Sequence, residues 1–289
     1  MQRFRIGDVE VVAVLEDDGR MDPAFIQRHV IPAATREALA ELAWLDPGWL
    51  TADGEPRMVT QAMLVRSEGV TILVDTCIGN DKPRLNPRFD RLQTDFLGEL
   101  ARAGVAPGDV DVVLCTHLHF DHVGWNTRWD GAAWVPTFPR ARYLIHRREW
   151  EHWRASGRID YLLADSVQPV VDAGLVDLVE GDHAVTAEVR LVPTPGHTPG
   201  HVSVAIASRG ERAVITGDML HHPCQVGRPE WTGPADSDQQ AARATREAFL
   251  DEAREDDVLV IGTHFPSPAA GRVRGDDAAP GRRRLIRLS

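Results

Sequence analysis

The sequence predicts a layered α/β sandwich, with sheets inside and helices outside. Three observations support this. A strand–helix–strand grammar occurs twice along the chain, so the two halves read alike. The helical stretches carry apolar residues at three- to four-residue spacing, which buries only one face. Several strands also run straight into polar, histidine-bearing loops, where α/β sheets gather their functional groups.

Residues 9–15 form the first predicted strand. Residues 58–66 and 70–75 are β-rich runs, and Ser67-Glu68-Gly69 between them signals a hairpin. Leu92, Phe96 and Leu100 recur every four residues and Gly104 follows as a C-cap, so this stretch is a helix. A short apolar strand at 111–115 ends at Thr116-His117. In the second half, 189–192, 201–207 and 213–216 read as strands, with a turn at Arg209-Gly210. Residues 239–254 form a helix with Asp236, Ser237 and Asp238 as candidate caps. A final strand, 258–261, ends at Gly262-Thr263-His264. No repeat of solenoid period occurs.

The expectation is one domain over 1–289 with two inserted segments. Residues 22–56 hold a short helix around 36–45 and Pro- and Gly-containing loops. Residues 132–157 hold Trp134, Trp150 and Trp153. Each reads either as extra packing or as a substrate lid or oligomer contact.

Of the 289 residues, 43% are hydrophobic and 26% charged, enough apolar material for a core of ordinary size. The net charge of −11 repels phosphate backbones and argues against a nucleic-acid partner. The run Arg282-Arg283-Arg284 is too short to reverse that. The cysteines, Cys77, Cys115 and Cys224, number three and include no C-x-x-C pair, so neither a disulfide framework nor a thiolate zinc site is indicated. Cys115 reads as a buried structural thiol in a reducing compartment. Residues 1–15 carry Arg3, Arg5, Asp8 and Glu10 and do not read as a signal peptide. No run approaches the ~20 apolar residues of a membrane span. The expected location is therefore cytoplasmic, with no membrane partner.

The stretch Thr116-His117-Leu118-His119-Phe120-Asp121-His122 concentrates four metal donors at a strand end. Alternation along the strand lets His117 and His119 face the same way. A following turn can bring Asp121 and His122 to a neighbouring point. One metal takes about four to six donors, so the cluster needs partners from elsewhere. They are present. His197 lies in the rigid turn Pro195-Gly196-His197-Thr198-Pro199-Gly200, Asp218 closes Thr216-Gly217-Asp218, and His264 ends the last strand. A lone strand-end histidine is more often a surface or hydrogen-bonded residue; it is the whole set, in this order, that points to metal.

With these residues in view, the chain resembles the metallo-β-lactamase superfamily, whose H-x-H-x-D-H signature is matched by His117, His119, Asp121 and His122. The later order His197, Asp218, His264 also matches, and the likeness covers about 58–273. The resemblance implies a four-layer αβ/βα sandwich. It implies one metal on His117, His119 and His197, a second on Asp121, His122 and His264, and Asp218 bridging both. Asp75 matches a strand-end aspartate that orients a ligand histidine. A homodimer is a further family-level implication.

Two divalent ions in such a set share a water, lower its pKa, and make the resulting bridging hydroxide the nucleophile. Zinc suits these donors best, with manganese, iron or cobalt as alternatives. Asp121 can take the proton during turnover. His221, three residues after Asp218, is the candidate to meet the developing oxyanion or leaving group; otherwise it is a solvent-facing loop histidine. His222 is expected to point away, and His201 to be structural. Phe120, Trp125 and Trp129 either line an apolar substrate pocket or pack in the core.

The stretch His264-Phe265-Pro266-Ser267-Pro268, followed by Gly271-Arg272-Val273, is similar to the methyl parathion hydrolase-like and lactonase branch. That likeness implies a small lactone or ester substrate, with phosphotriesters as a side activity, over β-lactams. Two alternatives use the same fold: a thiolester hydrolase resembling glyoxalase II, though its basic C-terminal segment is not evident, and an iron-dependent oxidoreductase resembling persulfide dioxygenases.

Overall fold

The computed structural model describes residues 1–288. Sixteen strands form two seven-stranded mixed sheets and one hairpin. The first sheet runs β1 (Arg3–Ile6), β2 (Val9–Asp17), β3 (Thr60–Ser67), β4 (Val70–Val74), β5 (Val112–Cys115), β8 (Arg142–His146), β9 (Val176–Val179). Its β4, β5, β8 and β9 are parallel. The hairpin joins β6 (Thr127–Trp129) to β7 (Trp134–Pro136). The second sheet runs in chain order: β10 (His183–Ala184), β11 (Val189–Pro193), β12 (Val202–Ser208), β13 (Glu211–Ile215), β14 (Leu259–Ile261), β15 (Ala270–Gly275), β16 (Arg283–Arg287). Only its β13 and β14 are parallel.

The layers follow from the alternation of side chains along each strand. In β2, Val11 and Ala13 enter the core between the sheets, while Val12 and Val14 face the helices. In β3, Met63 and Val65 face inward, and Ala62 and Leu64 outward. The far side of the first sheet is covered by the helices Phe96–Arg102 and Arg147–Ser156, through Phe96, Leu100, Trp150 and Trp153. The second sheet is covered by the helix Gln239–Glu255 and by the 22–56 segment, through Leu250, Ile26, Leu39 and Trp49. The order is αβ/βα, as the resemblance implied.

Local chemistry sets the boundaries. Glu68 and Gly69 both take positive φ (52° and 80°), the geometry a two-residue hairpin turn requires, and only glycine adopts it without cost. Asp238 is the residue that caps the long helix, accepting from Ala241 N–H at 3.0 Å, worth ~1 kcal/mol. That helix buries Ala242, Arg246, Leu250 and Ala253, one stripe at helical spacing.

The structure departs from the sequence reading in several places, and adds strands the sequence did not signal, β1, β9, β15 and β16 among them. The helix expected at 36–45 is only Arg36–Ala40, capped by Thr35. The helix marked by Leu92 begins at Phe96. The 132–157 segment is not simply an insertion: β8 is a strand inside the first sheet, and Arg147–Ser156 is one of the helices that cover it. Tyr143, Ile145, Trp150 and Trp153 are core residues, so most of this stretch is framework. Among the described residues, no helix is long and apolar enough to cross a membrane.

Parallel pairing brings the functional loops together. β4 and β5 are in register to Val74 and Leu114, so Asp75 and Thr116-His117 leave the same edge. β13 and β14 are in register to Ile215 and Ile261, which places Asp218 beside His264.

Candidate metal centre

Seven side chains converge between the sheet edges. His197 Nε2 lies 3.2 Å from His117 Nε2 and 2.9 Å from His119 Nδ1. His264 Nε2 lies 3.2 Å from His122 Nε2. Asp121 closes the second group, with its carboxylate 3.6 Å from His264 Nε2 and 3.8 Å from His122 Nε2. Asp218 spans the two groups. Its Oδ2 is 3.3 Å from His197 Nε2, and its Oδ1 is 3.1 Å from His264 Nε2 and 3.3 Å from His122 Nε2.

The tautomers test whether cations fit. His264 Nδ1 donates to Val59 O at 2.7 Å, and His122 Nδ1 meets Asp75 Oδ2 at 2.8 Å. His197 Nδ1 meets Asp236 Oδ1 at 3.1 Å. Thr116 Oγ1 donates to Asp75 at 2.9 Å and so accepts from His117 Nδ1 at 3.0 Å. In these four histidines the outer nitrogen therefore carries a proton, which leaves the inner nitrogen as the one that can ligate. Buried lone pairs about 3 Å apart repel unless something positive lies among them. The donor set, imidazole nitrogen and carboxylate oxygen, suits divalent zinc.

The field differs between the two groups. Burial, reinforced by neighbouring histidines, pushes His117 and His119 far below the ordinary histidine range. Burial would lower His122 and His264 too, but Asp218 and the other nearby carboxylates outweigh it and raise both. Desolvation would raise Asp218, yet the surrounding imidazoles hold it well below the usual carboxylate range.

His221 Nε2 stands 3.4 Å from Asp218 Oδ2, its ring 4.8 Å from that of His197. Neither of its ring nitrogens has a hydrogen-bond partner among the described residues, and it lines the cavity above the centre. His222 points away, with Nε2 on Trp49 O at 2.9 Å and Nδ1 accepting from Cys224 N–H. His201 is structural: its Nε2 accepts from Asp218 N–H at 2.9 Å, and burial holds it neutral, down to about 3.

A cavity of about 400 Å³ opens onto the centre. Its walls are apolar, drawn from Met21, Phe25 and Val30 of the inserted segment together with Met58, Phe89 and Phe120. Phe89 links the other two aromatics, with ring centroids 5.2 Å from Phe25 and 5.0 Å from Phe120. Phe120 lines this cavity. Trp125 and Trp129 are corrections. Trp125 is buried, stacks on Phe96 and donates to Glu16 at 2.6 Å, while Trp129 sits 45% exposed on the β6–β7 hairpin.

Two buried carboxylates escaped the sequence reading. Asp236, considered only as a helix cap, instead stands behind His197. Glu149 accepts from Leu118 N–H at 3.1 Å and Gly200 N–H at 3.0 Å, tying the His117–His119 loop to the His197 loop. Neither belongs to a local motif, so the sequence carried no signal for its role.

A curated N-acyl homoserine lactonase of Bacillus cereus is 35% identical over 116 residues, 40% of each chain. The probable metallo-hydrolase YybB of Bacillus subtilis is 29% identical over 126 residues, 43% of this chain and 52% of its own. The chain thus spans two-fifths to about half the length of these curated relatives. Among solved structures, the dizinc quorum-quenching lactonase AidC superposes with a TM-score of 0.78 at 20% identity, covering 100% of this chain and 97% of its own. The hydrolase AbOPH gives 0.77 at 24% identity, covering 99% and 97%. At these identities the likeness speaks to the fold. The family model of the metallo-beta-lactamase superfamily matches residues 56–264, a span that contains all seven converging side chains, and the chain belongs to that superfamily.

Proposed function

We propose that the chain is a dinuclear metal-dependent hydrolase of small lactones or carboxylic esters. The observation that carries this reading is Asp218, whose two oxygens face two separate histidine groups at the floor of an apolar cavity. His117, His119 and His197 would hold one ion, Asp121, His122 and His264 the other, and Asp218 both. Zinc is the proposed metal; manganese, iron and cobalt accept the same donors. When bound, the ions supply an activated water and polarise the scissile carbonyl.

The chain's own groups do the rest. The cavity walls hold the acyl or aryl part and exclude water. His221, kept neutral by burial, offers a ring N–H to the oxygen that becomes negative as water adds to the carbonyl carbon. Asp121, which lines the cavity, accepts the proton lost by that water and returns it to the departing alkoxide as the carbon–oxygen bond breaks.

Among the described residues lining the cavity, Arg84 is the one arginine, and Asp165 engages it with two hydrogen bonds. That pairing supports an uncharged substrate over the anionic glutathione thiolester. Phosphotriesters, also uncharged, fit as a side activity. The bacillary lactonase relatives support the lactone.

The test is an assay of zinc-loaded protein on acyl-homoserine lactones, aryl esters and a paraoxon-type phosphotriester. Turnover of lactone or ester, abolished by chelation and restored by zinc, is expected. A fully metallated protein inert to all three classes would overturn the substrate assignment.

A further inference from the structure

Lys82 is the chain's one lysine, and it is 0% exposed. Its Nζ donates to Thr127 Oγ1 at 2.5 Å and Asp165 O at 2.8 Å, and stands 3.6 Å above the Trp134 ring. The buried Arg84 reaches the same aspartate, with Nη1 to Oδ2 at 2.6 Å and Nη2 to Oδ1 at 3.2 Å. Lys82 Nζ also stands 3.8 Å from Asp165 Oδ1, so two basic side chains lie beside one buried carboxylate. Such a cluster is costly to desolvate and adds little stability over an apolar core of equal shape. What it does supply is a unique join between three segments: the 81–92 loop, the β6–β7 hairpin and the helical turn at 160–167.

The 81–92 loop is closed at its neck. Asp81 N–H donates to Leu92 O at 3.1 Å and Arg91 N–H to Lys82 O at 2.8 Å. Asp81 and Arg91 both hold left-handed backbone, at φ 63° and 46°. Such compact loops with adjoining ends are held by their own contacts and often carry function. Here the loop delivers Leu85, Asn86 and Phe89 to the cavity, while Tyr161 lines it from the clamped helical turn. Leu85, at the tip, is 86% exposed, while Phe89 anchors the far side of the loop against Phe25 and Phe120, so the clamp sets the position of the 83–86 limb.

We propose that Lys82, Arg84 and Asp165 are specificity-positioning residues: they lock the 83–91 loop against the 160–167 turn and thereby shape the cavity for substrates with an extended apolar acyl group. The proposal rests on the ester and lactone reading above. Lys82 and Asp165 do not line the cavity, so their replacement leaves the metal ligands and cavity walls chemically intact.

The test compares Lys82→Met with the parent on p-nitrophenyl octanoate and p-nitrophenyl acetate, with metal content measured alongside. The octanoate-to-acetate ratio of kcat/KM should fall about tenfold through the octanoate KM, with acetate kcat within about twofold and two metals per chain retained. An unchanged ratio overturns the proposal. Should Lys82→Met fail to fold, Thr127→Val, which removes a Lys82 acceptor, should shift the ratio in the same direction, and an unshifted ratio is equally adverse. If the parent cleaves neither ester, the ester reading fails while the clamp is still read directly. Labelling of Lys82 by an amine-reactive ester, followed by peptide mass, should speed up about tenfold or more in Asp165→Asn as the loop opens. Equal labelling rates in parent and variant would refute the clamp.

Discussion

Asp75 Oδ2 lies 2.8 Å from His122 Nδ1, and both side chains are wholly inaccessible to solvent. The same carboxylate accepts the backbone N–H and the hydroxyl of Thr116, whose hydroxyl in turn orients His117. One aspartate at the end of β4 thus fixes a histidine in each metal group.

Replacing Asp75 by Asn leaves the shape but puts an amide N–H or a weaker acceptor against these donors. We expect zinc affinity to fall about 10- to 100-fold in competition with a chromophoric chelator. Affinity equal to the parent's would show that Asp75 does not tune the ligands.

His221→Ala should retain two metals per chain and lower kcat about 10²- to 10³-fold with a much smaller change in KM, the pattern of a lost transition-state donor. Loss of metal instead would make His221 a ligand, and unchanged kcat would make it a bystander. Elemental analysis and steady-state kinetics on one preparation separate the three outcomes.

Lys82 gives a stability signature with a defined sign. Burial lowers its pKa from 10.5 to about 7, Arg84 adding to the lowering while Asp165 and Asp81 oppose it. Between these two values the unfolded chain binds the extra proton, so the parent's stability rises with pH across that window. Below pH 7 the full cost of a buried charge is present. Measured against Lys82→Met by urea unfolding, the parent should gain roughly 2–4 kcal/mol between pH 7 and pH 10. A difference that stays flat with pH would mean that Lys82 keeps an ordinary pKa.

The site's legibility in the sequence follows from its geometry. His117 to His122 are contiguous, and His197, Asp218 and His264 each end a strand or lie in a rigid turn, so local pattern carries them. The layered fold was legible through long apolar, β-rich runs such as β2 and β3. The groups behind the ligands were not: Asp236 meets His197 across 39 residues, and Lys82 meets Asp165 across 83, with no local signature. Trp125 and Trp129 misled because position near a motif does not say which face of the loop a ring takes. Trp125 turns inward because its N–H finds the half-buried Glu16 carboxylate. β8 was missed because its apolar run is only Tyr143-Leu144-Ile145, too short to stand out between Arg142 and His146.

Asp218→Ala should abolish two-metal occupancy and activity together, because each oxygen of Asp218 faces a different histidine group. Full activity in this variant would refute its bridging role.

The most direct test of the central claim is anomalous diffraction at the zinc edge from crystals of the zinc-loaded protein. The account predicts two peaks about 3.5–4 Å apart, one on either side of Asp218, each ringed by its own histidines. A single peak, or zinc bound elsewhere with these side chains still facing one another, would contradict it.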